Sequence, residues 1–213
     1  MLADPMAIAD TSSTKHLPRA SEPPVRSDRR RLLYLSHIDW HWIKQRPQFI
    51  AEGLAESFDV EVAYRRLWRR TDLVEDGSAL ITHPIWRLPF RRFAISAAIS
   101  RDLERRRIEG IAARQRPDLI WISYPSFHAC LPAGRRGSVP LIYDCMDEAA
   151  AFAFPHERRR VAECEANLLR DAAIVFCSSD RLAEDLLARG ATEGRLQVVR
   201  NAFAGAILPA AAP

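Results

Sequence analysis

A chain of 213 residues suits one domain with tails around a real core, and it would cramp a two-domain enzyme. Its 31 Lys and Arg against 27 Asp and Glu leave a formal charge of +4, a mild basicity that permits contact with phosphates or an anionic bilayer. No recognised nucleic-acid module accompanies the charge, so no nucleic-acid partner is expected. Cys130, Cys145, Cys164 and Cys177 show neither C-x-x-C spacing nor histidine companions at zinc spacing, and read as buried thiols of a reducing compartment. With no apolar run of membrane-spanning length and no signal-peptide pattern, the expected location is the cytoplasm.

In chain order, residues 1–29 are rich in Pro, Ser, Thr and Ala without periodicity, and are expected to form a disordered leader. The apolar run "LLYLS" (32–36) predicts a first strand. Pro47 then opens a helix carrying Phe49, Ile50 and Leu54, and "FDVEVAY" (58–64) returns as a second strand. Residues 93–115 carry an arginine-rich helical pattern, followed by strands at "LIWIS" (119–123) and "LIYD" (141–144). Val161, Cys164, Leu168 and Leu169 mark a helix after Pro155, and "AIVFCS" (173–178) the next strand. Ser179 is the expected N-cap of a helix bearing Leu182, Leu186 and Leu187, with Gly190 as its stop, before "LQVVR" (196–200) and a tail over 204–213. Strands apolar on both faces and alternating with helices predict a doubly wound α/β fold with a parallel sheet over residues 30–203.

In such a fold, ligands sit beyond the carboxyl ends of the strands. That rim collects "SHIDWHWIKQR", "SYPSFH", "DCMDE" and "SSD". The first loop lacks G-x-G-x-x-G, which argues against a dinucleotide cradle. Trp40 and Trp42 offer flat faces for sugar rings, and Lys44 and Arg46 can hold an anion near a helix start. His37 and Asp39 belong to the same loop. His37 and His41 are four apart, but without an adjacent glutamate pattern no metal site is expected. Asp144 and Asp147 end a buried strand and are the candidates for accepting a hydroxyl proton; the alternative is that Asp147 caps the next helix and Asp144 satisfies loop amides. His128 is expected to pack under its loop. Arg65, Arg66, Arg69 and Arg70 around Leu67 and Trp68, with "PFRRF" at 89–93, interleave cations and apolar side chains as an anionic bilayer surface would require, or form solvated loops.

The segments "DWHWIKQRPQFIAEGLAES", "PDLIWISYPS", "PLIYDCMDE" and "EANLLRDAAIVFCSSDRLAEDLLARGA" together resemble the N-terminal Rossmann-like domain of GT-B glycosyltransferases, most nearly cell-surface polysaccharide transferases of the teichuronic-acid type. The resemblance implies an acceptor side lined by Trp40, Trp42, Arg46, Asp144 and Asp147, with Ser178 and Ser179 facing the interdomain cleft. It also implies a saccharide or lipid-linked sugar acceptor and a nucleotide-sugar donor held by a missing second domain, so that this chain carries no cofactor itself. Where relatives read Pro-Asn-Gly, this chain has "RNA" from Arg200, and it has Met146 where some carry histidine. The expected activity is that of an acceptor-binding half, inactive without a donor-domain chain; the alternative is a non-catalytic scaffold or truncated remnant. Removing Trp42 together with Arg46 is expected to abolish acceptor binding and spare the fold.

Overall fold

The computed structural model describes residues 28–67, 79–89 and 92–201. The expected leader, except residues 28 and 29, and the expected tail lie outside these residues, as do Trp68, Arg69, Arg70, Phe90 and Arg91. The elements run β1 (Arg31–Ser36), α1 (Arg46–Leu54), β2 (Asp59–Leu67), β3 (Ile81–Arg87), α2 (Ala94–Gln115), β4 (Leu119–Ile122), a 3₁₀ turn (Pro125–Cys130), α3 (Ala133–Arg136), β5 (Leu141–Cys145), α4 (Pro155–Asp171), β6 (Ile174–Cys177), α5 (Asp180–Ala188) and β7 (Leu196–Val198).

The strands form one parallel seven-stranded sheet in the order β3-β2-β1-β4-β5-β6-β7. This is the doubly wound order, with β1 at the switch point between β2 and β4. Alternation along β1 divides the core. Leu33 and Leu35 belong to one buried cluster with Ile108 and Ile111 of α2, Leu168 and Leu169 of α4, and Leu182 and Leu186 of α5. Leu32 and Tyr34 join Trp40, Val62, Trp121 and Ala51 of α1 on the other face. Tyr34 stacks on Trp121, which stacks on Phe176, an aromatic row across the sheet.

Local chemistry sets the helix ends. Gln48 accepts the Gln45 backbone N–H at 3.0 Å, and Pro47 occupies the first turn of α1. Ser179 accepts the Leu182 N–H at 3.3 Å as N-cap of α5, and Gly190 follows that helix at φ +100°. The one strand not anticipated is β3. Its Pro84 breaks the strand pattern, yet it is tolerated because β3 is an edge strand, where the missing N–H removes no obligatory ladder bond. His128 packs as expected, buried, its Nε2 2.7 Å from Asp171. Burial raises the Cys130 and Cys145 thiols to about 12, so both are unreactive small hydrophobes.

Candidate active-site cleft

The carboxyl ends of β1, β2, β3, β4 and β5 open onto a cleft of about 280 Å³. His37, Arg65, Arg87 and Tyr124 line its sheet side; Arg101 and Glu104 come from α2, Asp147 from the loop after β5, and Arg160 from α4. Phe152 and Phe154 stand at its edge on the α4 side, 79% and 44% exposed. A shallower groove adjoins it, lined by Asp39, Trp42 and Leu67, and shares His37, Arg65 and Arg87 with the cleft. The two therefore form one continuous polar surface at the strand ends.

A buried ion pair forms the cleft floor. Arg65 donates from Nε to Glu104 at 2.5 Å and from Nη2 to Ser126 Oγ at 2.6 Å, and its guanidinium lies over the rings of Phe127 and Tyr124. Both charged side chains are only 4% exposed, so the pairing is required by desolvation. This corrects both sequence-based expectations for Arg65, a bilayer-facing surface and a solvated loop. Arg66 does remain outside, over the Trp86 ring at 5.2 Å.

His37 sits beside this floor. Its backbone N–H donates to Ser123 Oγ at 3.1 Å, its Nδ1 lies 2.9 Å from the same oxygen, and its ring leans on Tyr124. Burial, reinforced by the charges of Arg65 and Arg87, lowers its pKa to about 3. The imidazole is therefore neutral across the physiological range, a hydrogen-bonding group for a hydroxyl rather than a cation. His41 turns away to meet Tyr64 edge-on, so the two histidines do not converge.

Asp39 is 3% exposed. Its Oδ1 accepts the His41 N–H at 3.2 Å, while Oδ2 is buried without a hydrogen-bond partner among the described residues. A buried carboxylate oxygen left unpaired in a groove wall is costly unless a ligand supplies the donor. The partly exposed indole of Trp42 lines the same groove.

The other sequence candidates have structural occupations. Trp40 is 1% exposed within the core and has no open face for a sugar. Lys44 pairs with Glu52 at 2.5 Å and lies over Phe49, away from the cleft. Ser178 Oγ donates to the Met146 carbonyl at 2.8 Å, tying two rim loops together, and Ser179 is the α5 cap. Asp147 is exposed on the cleft wall and caps no helix, since α4 begins at Pro155.

Arg46 and Asp144 form a clamp. Arg46 Nη2 and Nε reach Asp144 at 2.9 and 3.2 Å, and Nη1 donates to the Val199 carbonyl at 2.8 Å and to Asn201 Oδ1 at 3.2 Å. Asp144 is fully buried and the Arg46 side chain 11% exposed. Burial raises the Asp144 pKa, and the Arg46 charge pulls it partly back. The guanidinium is thus spent on holding the first rim loop to the segment after β7, not left open for an anion. Sequence inspection placed the loop of Tyr124 on the rim but missed Arg87, Arg101, Glu104 and Arg160; only the topology brings them to one cleft.

Among the described residues, no group of His, Cys, Asp and Glu side chains could hold a metal ion, and no helix is long and apolar enough to cross a membrane. Comparison with curated proteins finds no match. The fold is similar to that of sucrose-phosphate synthase from Thermosynechococcus elongatus, with a TM-score of 0.59 at 12% identity over 80% of this chain and 48% of the synthase. A solved piece of that synthase aligns at 0.54, with 14% identity, over 80% of this chain and 88% of the piece. The lipopolysaccharide outer core galactosyltransferase WaaB aligns at 0.53, with 12% identity, over 80% of this chain and 45% of the enzyme. This chain thus spans about half the length of the whole enzymes it matches, and at such identities the likeness is one of fold. The family model for the glycosyl transferase 4-like domain matches residues 43–202, which cover α1 through β7 and every cleft-lining residue except those of the first rim loop before residue 43, and the chain belongs to that family.

Proposed function

We propose that this chain is the acceptor-binding half of a glycosyltransferase that draws on a nucleotide-sugar donor to build cell-surface polysaccharide or glycolipid. The acceptor lies across the groove and cleft, one sugar against Trp42 with a hydroxyl donating to Asp39, and His37 and Asp147 meeting further hydroxyls. Arg87 and Arg160 favour an acceptor carrying a phosphate or uronate group, Arg101 being paired with Glu157 at 3.5 Å. The observation that carries this is the buried Asp39 oxygen, without a hydrogen-bond partner among the described residues, in the wall of an open groove. Transfer requires a donor-binding second domain, and the work takes place in the cytoplasm at the inner face of the membrane, where lipid-linked acceptors are held.

The test is calorimetry with UDP- and GDP-sugars on the purified chain, with and without a separately supplied donor-domain protein. Silence from the chain alone, with binding and transfer once the partner is added, is the expected result. Tight nucleotide-sugar binding by this chain alone would overturn the assignment of the rim to the acceptor.

A further inference from the structure

The outer face of α2 is apolar where solvent should meet a polar one. Its core side is Ala97, Ser100, Glu104, Ile108 and Ile111. On the opposite side Ile95, Ile99 and Leu103, spaced one turn apart, are 79%, 51% and 47% exposed. Phe93, 55% exposed, precedes the stripe, and Trp86 of the edge strand, 54% exposed, extends it, because Trp86 and Leu103 line one shallow depression with Arg107. Large side chains gathered in this way on a soluble surface mark a contact with something apolar.

The charges around the patch identify its partner. Arg66 lies over Trp86 and Arg92 over the Phe93 ring at 4.9 Å, while Arg106 and Arg107 flank Leu103 on the exposed side. Arg92 and Arg107 have no carboxylate partner among the described residues; the two acids beside Leu103 are already paired, Asp102 with Arg105 and Arg106 and Glu104 with Arg65. An apolar stripe rimmed by arginines fits an anionic bilayer, with side chains entering the acyl boundary and guanidinium groups at the phosphates. A second copy of the chain fits poorly, because a two-fold contact through this face would bring the arginine rims together.

We propose that the first three turns of α2, with Phe93 and Trp86, form the surface by which this protein docks on an anionic membrane. This surface keeps Arg66, Arg92 and Phe93 of the segments singled out in the sequence, leaves out buried Arg65, and extends along α2. Because α2 also contributes Arg101 and Glu104 to the cleft, docking through its outer face sets the cleft beside the bilayer.

The experiment is flotation of the full chain with phosphatidylcholine vesicles, with and without phosphatidylglycerol. Wild-type protein is expected to float with the anionic vesicles, to lose most of that binding at high salt, and to stay in solution with the neutral ones. Ile95→Gln/Ile99→Gln, exposed changes that keep helix propensity, should weaken binding about tenfold at an unchanged melting temperature. Arg92→Glu/Arg107→Glu should do the same through charge. Failure of wild type to bind anionic vesicles, or wild-type binding by both variants, overturns the proposal. So does a concentration-dependent dimer that Ile95→Gln/Ile99→Gln dissolves, since the patch would then belong to a second copy. No sugar is present in the assay, so docking can fail while acceptor binding succeeds, and the reverse.

Discussion

At the scale of single residues, the rim separates side chains that hold the fold from those open to a ligand. Trp42 and Arg46 looked equivalent in sequence, four apart in one loop, but Arg46 satisfies buried Asp144 whereas Trp42 faces the groove. The clean test of acceptor binding is therefore Trp42→Ala or Asp39→Asn, not a pair that includes Arg46. Loss of a stacking face should weaken saccharide binding by about 1 kcal/mol or more, read as a roughly fivefold or larger rise in Kd at unchanged stability. His37 makes a separate prediction. Its folded pKa, about 3, lies below its unfolded value, so the unfolded chain takes up the proton first as pH falls. The stability it carries is full above about pH 6.5 and is lost as the medium acidifies toward about pH 3, by less than about 5 kcal/mol because the ring is partly open to the cleft. Urea unfolding at about pH 7 and about pH 4 should show a smaller acid loss in His37→Gln than in wild type. Equal losses would mean that His37 is not the group titrating.

At the scale of elements, periodicity located most of the sheet and the long helices because buried parallel strands and amphipathic helices write their environment into the side chains. "LLYLS", "LIWIS" and "AIVFCS" lie on β1, β4 and β6, and the 93–115 pattern on α2. It failed at β3, where an edge strand with Pro84 and half-exposed Ile81 and Trp86 carries too little burial to leave a pattern. The cleft was less legible than the sheet. Arg87, Arg101 and Arg160 come from β3, α2 and α4, and no local spacing relates residues that only a crossover brings together. Helix caps were legible because their chemistry is local. Ser179→Ala should cost about 1 kcal/mol by leaving the Leu182 N–H without its side-chain acceptor. Gly190→Ala, at φ +100° with open space around it, should cost about 1 kcal/mol through backbone strain alone. Thermal melts of the two variants, and near-additivity in the double, check both.

At the scale of the molecule, the Arg46–Asp144 clamp joins the loop after β1 to the end of β5 and to the segment leaving β7, so one side chain spans the rim from the sheet's centre to its far edge. Its energetics follow from the burial of the carboxylate. Replacing Arg46 by Met leaves Asp144 charged and unpaired in the interior, a change that costs about 3–5 kcal/mol. With the arginine gone, burial is opposed only by the smaller effect of the Trp121 side chain, and the Asp144 pKa, already raised, climbs further above its unfolded value. A carboxyl whose folded pKa exceeds its unfolded one destabilises the fold most at high pH, where the charged form is forced on it, and the penalty fades as pH falls and the buried group takes up a proton. Arg46→Met should therefore be far less stable than wild type at about pH 7.5, with the gap narrowing toward about pH 4.5. The His37 contribution acts in both proteins and cancels in the difference. Adding Asp144→Asn should recover much of the loss at neutral pH, since a neutral amide removes the buried charge but keeps the shape. A gap independent of pH, or no recovery in the double variant, would mean that the clamp holds through packing and the bonds to Val199 and Asn201 rather than through its charge pair.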